Sequence, residues 1–286
     1  MAGNVPWSEY LQKSIHYNSI NSNKEPVRVM LSSVKNGVPK VQPIVFQSLL
    51  STDQRVLIFT GATRNADLMS VVKSSNSTHV VSMEMPKTKE TYIFTGRIYI
   101  VAAPALSYRF GTPPRRINIK GDMSAEEFWE DERIRIWQKI PSDYRASFTW
   151  PEPGIPSVTE IGNGQGSWSV YNDTNTIKVP AVSSIDIGYK YKTLDAIKET
   201  SLHKSGSIVS SATSSPSMNA LGGILNRSNT NNSDMETVHN SALDNFCLLV
   251  FKVTDVDYTQ RGIFPPTRIM FNSKNGNEWK QQNVNA

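Results

Sequence analysis

Cysteine is nearly absent: Cys247 is the one thiol in 286 residues. That excludes an internal disulfide and a cysteine-based zinc site. A lone thiol in a chain of this length fits a reducing compartment, so the expected location is the cytosol and also the nucleus. Histidine is scarce too. His16, His79, His203 and His239 are scattered and form no metal-ligand pair at helical spacing. No run approaches the ~18 apolar residues of a membrane-spanning helix. The start, Met1-Ala-Gly-Asn-Val-Pro-Trp7, lacks the basic-then-apolar layout of a secretory signal. No membrane partner is expected. Charged residues make up 19% and hydrophobic residues 38%, a polar balance that still allows a buried core.

Strong basicity is missing as well. The formal charge is +5 and the pI about 9.2. The one dense basic spot, Thr112–Lys120, has no interleaved aromatics and reads as a solvated loop, so nucleic acid is not the expected partner. Ile161-Gly-Asn-Gly-Gln-Gly-Ser-Trp168 misses the Gly-x-Gly-x-x-Gly spacing by one residue and reads as a loop. No Ser-His-Asp or Cys-His constellation can be assembled. Glu126, Glu127, Glu130, Asp131 and Glu132 share a helix with Arg133 and Arg135 and read as a solvated face.

What is present is a succession of short strands. Residues 5–20 form an amphipathic helix on Trp7, Leu11, Ile15 and Ile20. Residues 27–34 and 38–47 flank Asn36-Gly37, the strongest short hairpin signal, with Pro43 marking an edge or a bulge. Further strands follow at 55–60, 79–85 and 90–101, with a short helix at 64–75. A second helix at 124–140 has Ser124 as its N-cap and Phe128, Ile134 and Trp137 facing the core. Asn245–Val253 is a buried strand in which Cys247 serves as a small hydrophobe. Residues 268–271 and 278–282 close a last hairpin around Asn275-Gly276. Many strands joined by turns argue for a β-barrel. From 200 to 241 half the residues are Ser, Thr or Asn, a composition that reads as a disordered insertion. The domain expected is therefore a single one over 5–286, interrupted by 200–241.

Several short motifs fall in a telling order. Pro6-Trp7 precedes the first helix. Leu31–Pro39, Ile44-Val-Phe46, Phe59-Thr60 and Thr63-Arg64 follow, then Pro86–Glu90, Thr95-Gly-Arg97, Trp137–Asp143 and Phe148-Thr-Trp-Pro-Glu-Pro-Gly154. This succession resembles the pyridoxamine 5′-phosphate oxidase-like family of FMN-binding split β-barrels, over roughly residues 5–154 and 243–286. The resemblance implies a mainly β (α+β) split barrel with a few flanking helices. It also implies FMN as cofactor, bound between the subunits of a homodimer. FMN carries a phosphate near charge −2 and a flat apolar ring, so its site needs cations and donors at one end and aliphatic walls at the other.

Family positions map onto this chain unevenly. The cofactor-binding set that the resemblance implies is Gln42, Gln47, Thr60, Thr63, Arg64 and Arg268. Gln42 and Gln47 stand at usually basic positions, Ala66 stands where a lysine often follows, and Thr91 stands where a glutamine often meets the flavin. Tyr258 falls where an aromatic lies near the ring. The family oxidase's Arg-x-His pair falls on Phe264 and Pro266, so oxidation of vitamin B6 phosphates is not expected. Two readings stay open: a flavin-dependent oxidoreductase of unnamed substrate, with no catalytic acid or base assigned, or a non-enzymatic barrel with a weakened or lost flavin. In the second, residues 200–241 would meet a protein partner.

Overall fold

The first strands dictate the architecture by alternation. In β1 (Arg28–Lys35), Val29 and Leu31 point to one side, and Ile44 and Phe46 do the same in β2 (Val38–Leu50). Period-2 alternation sends the intervening residues to the other face. β1 and β2 pair antiparallel from Lys35↔Val38, with Gly37 at φ +77 in the turn, as Asn-Gly requires. This computed structural model describes residues 5–20, 26–35, 37–73, 78–115, 117, 119, 123–152, 167–172, 175–180, 182–186, 227–273 and 278–286.

Two compact units result. The first comprises Met1–Ile140, Pro151–Ser157 and Asp244–Ala286. It holds β1, β2, β3 (Asp53–Ala62), β4 (His79–Met85) and β5 (Glu90–Val101). Three more strands, β8 (Phe246–Gln260), β9 (Thr267–Ser273) and β10 (Trp279–Val284), complete its sheet. The order is β10-β9-β8-β3-β2-β1-β4-β5, and β5 returns to pair with β8. Six strands thus close into an antiparallel barrel. β8 is long enough to be shared: Phe246–Lys252 pairs with β3, Asp255–Gln260 pairs with β9, and β5 lines its other edge. That sharing splits the barrel and agrees with the expected split-barrel fold.

Inside lie Leu57, Phe59, Val81, Met83, Tyr92, Phe94, Leu249, Phe251 and Phe271. Helix α1 (Pro6–Ser19) plugs one end through Trp7 and Leu11, one turn apart and fully buried. Trp7 meets Phe94 edge-on at 5.5 Å. Ser14 Oγ and Tyr92 Oη hydrogen-bond at 2.7 Å, and Asn18 Nδ2 donates to Thr88 Oγ1 at 2.9 Å. Ile20 lies just past the helix and is exposed, because a step of five after Ile15 leaves the apolar stripe. Pro43 pairs with Met30 on one side, and β3 joins β2 only from Val45 on, so the proline sits at a local edge. The bulge in β2 falls instead at Gln47, between Phe46 and Ser48.

Two short helices, α2 (Ala66–Val72) and α3 (Ser107–Phe110), precede α4 (Ala125–Lys139), which packs on β5 and β8. Ser124 caps α4 as expected, accepting from Glu127 N at 3.2 Å. Its buried face differs from expectation. Trp129, Arg133, Ile136 and Trp137 are enclosed, whereas Phe128 and Ile134 are half-buried. The charged stretch is a solvated face only in part: Glu126, Glu127 and Asp131 are exposed, and the rest is not. Arg133 is buried with both Glu130 oxygens at 2.8 Å and Phe246 O at 3.3 Å, and Glu132, also buried, pairs with Arg135. A guanidinium completes that stripe, which an apolar count cannot anticipate.

The second unit comprises Pro141–Trp150 and Val158–Leu243. It contains α5 (Ser142–Ser147), the hairpin of β6 (Ser167–Asn172) and β7 (Asn175–Pro180), and most of α6 (Arg227–Asn245). Arg145 Nε donates to Ile185 O at 2.8 Å, and Trp150 Nε1 to Val182 O at 3.0 Å. α6 corrects the compositional reading of 200–241: residues from Arg227 on are helical, with Val238, His239 and Ala242 buried at helical spacing. The rest of that tract, the 161–166 loop and the Asn275-Gly276 turn lie outside the described residues. Among the described residues no helix is long and apolar enough to cross a membrane.

Candidate functional site

The outer face of β2 and β3 gathers the polar residues. Cross-strand pairs share a face, so the register defines one row: Arg28↔Val45, Val45↔Thr60, Thr60↔Leu248 and Leu248↔Val101. The bulge turns both Gln47 and Ser48 outward beside it, with Ser48 opposite Ile58. Gln47 Nε2 donates to Thr60 Oγ1 at 3.3 Å. Ser48 Oγ is buried with no hydrogen-bond partner among the described residues. Arg28, exposed, belongs to the same row two strands from Thr60, about 10 Å at ~4.8 Å per strand.

The chain leaves β3 through a tight turn. Asn245, buried where α6 meets β8, holds that turn with three bonds. Its backbone oxygen accepts from Thr63 N at 2.8 Å, and its Oδ1 accepts from Thr63 Oγ1 at 2.9 Å and Arg64 N at 3.0 Å. Thr63 has one hydroxyl hydrogen and gives it to Asn245, so Thr63 fixes the turn instead of donating to a ligand. Arg64 is half-buried. Desolvation holds its guanidinium below the ordinary arginine range, and the nearby Glu152 carboxylate works against that shift.

Gln47 thus meets Thr60, and Thr63 and Arg64 stand on the turn that follows the same strand. Gln42 and Arg268 lie elsewhere. Gln42 pairs with Leu31, on the core-facing side of β2, opposite to Thr60. Arg268 pairs with Thr259, eleven positions along β8 from the Leu248 that faces Thr60, about 36 Å of strand contour. It grips Asp257 with Nε–Oδ1 3.0 Å and Nη2–Oδ2 2.7 Å. Thr91 shares that distant end, since it pairs with Thr259 too. Tyr258 lies inside the barrel core, its hydroxyl on Glu90 Oε1 at 2.7 Å; burial first, then this bond, pushes its pKa up. The Cys247 thiol is fully buried and pushed up to about 12 by that burial, which makes it an inert core residue. Phe264 and Pro266 are exposed on the β8–β9 loop.

Reading the sequence alone missed Arg28, Ser48 and Asn245. Ser48 adjoins Gln47 and needed only the bulge to be turned outward. Arg28 needed the register of three strands, and Asn245 a contact spanning 182 positions. A cavity of about 140 Å³ opens next to Val101, lined by Ile100, Phe110, Pro113, Glu126 and Glu130. It is smaller than the ~300–1,000 Å³ of typical cofactor pockets.

A closed antiparallel barrel with one strand shared between two neighbours is a split β-barrel of the pyridoxamine 5′-phosphate oxidase type. The chain has this fold in common with a pyridoxamine 5′-phosphate oxidase-related, FMN-binding protein from Nostoc punctiforme, at 17% identity and TM-score 0.56 over 99% of this chain and 100% of that one. PhzG from Burkholderia lata, solved with tetrahydrophenazine-1-carboxylic acid, aligns at 10% identity and TM-score 0.47 over 100% of both chains. A protein related to general stress protein 26 from Clostridium acetobutylicum aligns at 7% and 0.37 over 93% of this chain and 94% of that one. No family model and no curated protein matches the chain.

Proposed function

We propose that this protein binds FMN on the outer face of β2 and β3, with the flavin phosphate against Arg64, Thr60 and Gln47. The observation that carries the reading is the half-buried Arg64 on the turn four residues past Thr60, whose Oγ1 accepts from Gln47, in a fold shared with an FMN-binding protein. The residues present suit the group. Arg64 supplies the charge, and the unsatisfied Ser48 Oγ and the Thr60–Gln47 pair supply hydrogen-bonding capacity. Arg28 adds a second cation to the row.

Bound FMN supplies reversible hydride or electron acceptance, the basis for an oxidoreductase role. The chain's own part is to bind and orient it. The row contains no acid or base apart from its arginine. Phe264 and Pro266 can neither grip a substrate phosphate nor move a proton, so the substrate is not a vitamin B6 phosphate. A second copy completes the site, because Thr91 and Arg268 lie too far along β8 to reach the same ligand within one protomer.

The test is the visible spectrum of freshly purified protein, with mass identification of what denaturation releases. Yellow protein, or protein that turns yellow and gains thermal stability with FMN, is expected. Arg64→Gln should weaken FMN binding about 10- to 100-fold, the effect of ~1.5–3 kcal/mol for a charge-assisted hydrogen bond. Colourless protein whose melting temperature ignores FMN would reject the reading.

A further inference from the structure

The turn after β3 already carries an anion of its own. The N–H groups of Thr63 and Arg64 bond to Asn245, that of Asn65 to Ala62 O, and that of Leu68 to Asn65 Oδ1. These acceptors belong to the turn or are buried against it. The Ala66 N–H is different. It donates at 3.0 Å to Glu152 Oε1, a half-exposed carboxylate 86 positions away in the Trp150-Pro-Glu-Pro segment. That carboxylate is also the negative charge that Arg64 feels. Glu152 offsets the charge of Arg64, and the exposed Asp67 in the first turn of α2 adds a further negative charge, although this turn is the place where a phosphate is to be held.

We propose that Glu152 is a built-in competing anion, which weakens the hold of the Arg64 turn on phosphate-bearing ligands and so sets its affinity for them. The inference rests on the flavin reading only for the identity of the ligand. A phosphate monoester near charge −2 approaches a turn that is one charge more negative while Glu152 is present than when it is not. A ligand with the same ring and no phosphate is indifferent to that change. Screening by salt shrinks the difference, as it does for any partly exposed charge.

The experiment is a titration of wild type, Glu152→Gln, Arg64→Gln and the double variant with FMN and with riboflavin, read by flavin fluorescence at low salt. The glutamine amide oxygen can still accept from Ala66 N–H, so the fold is kept. Glu152→Gln should bind FMN about three- to tenfold more tightly. Its riboflavin affinity should stay within about twofold, and the gain should vanish in the Arg64→Gln background. An FMN affinity equal to wild type, an equal gain for riboflavin, or a gain that survives loss of Arg64 would overturn the proposal while leaving flavin binding intact. If wild type takes no FMN, the flavin reading falls. Glu152 is then judged by inorganic phosphate: a larger phosphate-induced rise in melting temperature for Glu152→Gln than for wild type upholds its role, and equal rises overturn it.

Discussion

His239 is 1% exposed on α6, and burial lowers its pKa below the ordinary 6.5. A hydrogen-bonding contact with Asn240 Oδ1 at 3.4 Å opposes that shift, and the charge of Arg145 adds to it. The sign follows from linkage. Above pH 6.5 the ring is neutral both folded and unfolded. As pH falls below 6.5 the unfolded chain takes a proton that the folded one resists, so stability is lost until the pH passes the lowered folded value. Urea midpoints should therefore drop between pH 7.5 and pH 5.5, and His239→Gln should flatten that part of the profile. An unchanged slope in the variant would assign the pH dependence elsewhere. Local pattern marked the strand that carries Thr60, while Thr63 and Arg64 were singled out by the family resemblance, which places hydroxyls and a cation on the turn after it. Thr63 shows the limit of such a reading: the residue type is right for a phosphate contact, but its one hydrogen is committed to Asn245, a partner that only the folded chain brings near.

At the scale of elements, close approach of two backbones governs one position. The pairing of β5 with β8 slips between Thr95 and Gly96, and a Cβ on Gly96 would stand 2.2 Å from Lys252 O. The neighbour is backbone and cannot rotate away. Gly96→Ala should cost about 3 kcal/mol or more, the upper end of overpacking effects. Gly61→Ala meets only side-chain atoms, Leu68 Cδ2 at 3.2 Å and Cys247 Sγ at 3.4 Å, and should cost less. Denaturant midpoints of the two variants give the comparison, and equal losses would refute it. β4 and β5 have the bounds that alternation predicts, because one face of each is enclosed and the other is not. β8 runs seven residues beyond the apolar stretch ending at Val253, since its far half is held by β5 and β9 and needs no continuous hydrophobic run. α6 was hidden because Ser, Thr and Asn dominate its sequence, and its buried positions, Val238, His239 and Ala242, are few. For α4 Trp137 is buried as expected, but the enclosed face is turned away from Phe128 and Ile134, because Arg133 occupies a core position with its charge satisfied on Glu130 and Phe246 O.

For the whole molecule, the outer face of the barrel poses the remaining problem. Met30, Val34, Val41 and Ile93 are all exposed, and the register joins them: Met30 faces Pro43 and Ser82, Ser32 faces Val41, Val34 faces Pro39, and Ser82 faces Ile93. An apolar sheet face of this kind, left in water, is an interaction surface or an aggregation hazard. It adjoins the Arg28–Val45–Thr60 row, since Pro43 and Val45 are alternate residues on the same side of β2. A second copy laid on this face would cover the apolar residues and wall in the ligand row. Dimerisation and flavin binding are then one event. Val41→Glu puts a charge in the middle of the covered face and is expected to give monomers by light scattering. The variant should also lose FMN, although every residue that touches the phosphate in the proposed site is unchanged. A monomeric variant with wild-type FMN affinity would separate the two, and the site would have to be built from one protomer alone.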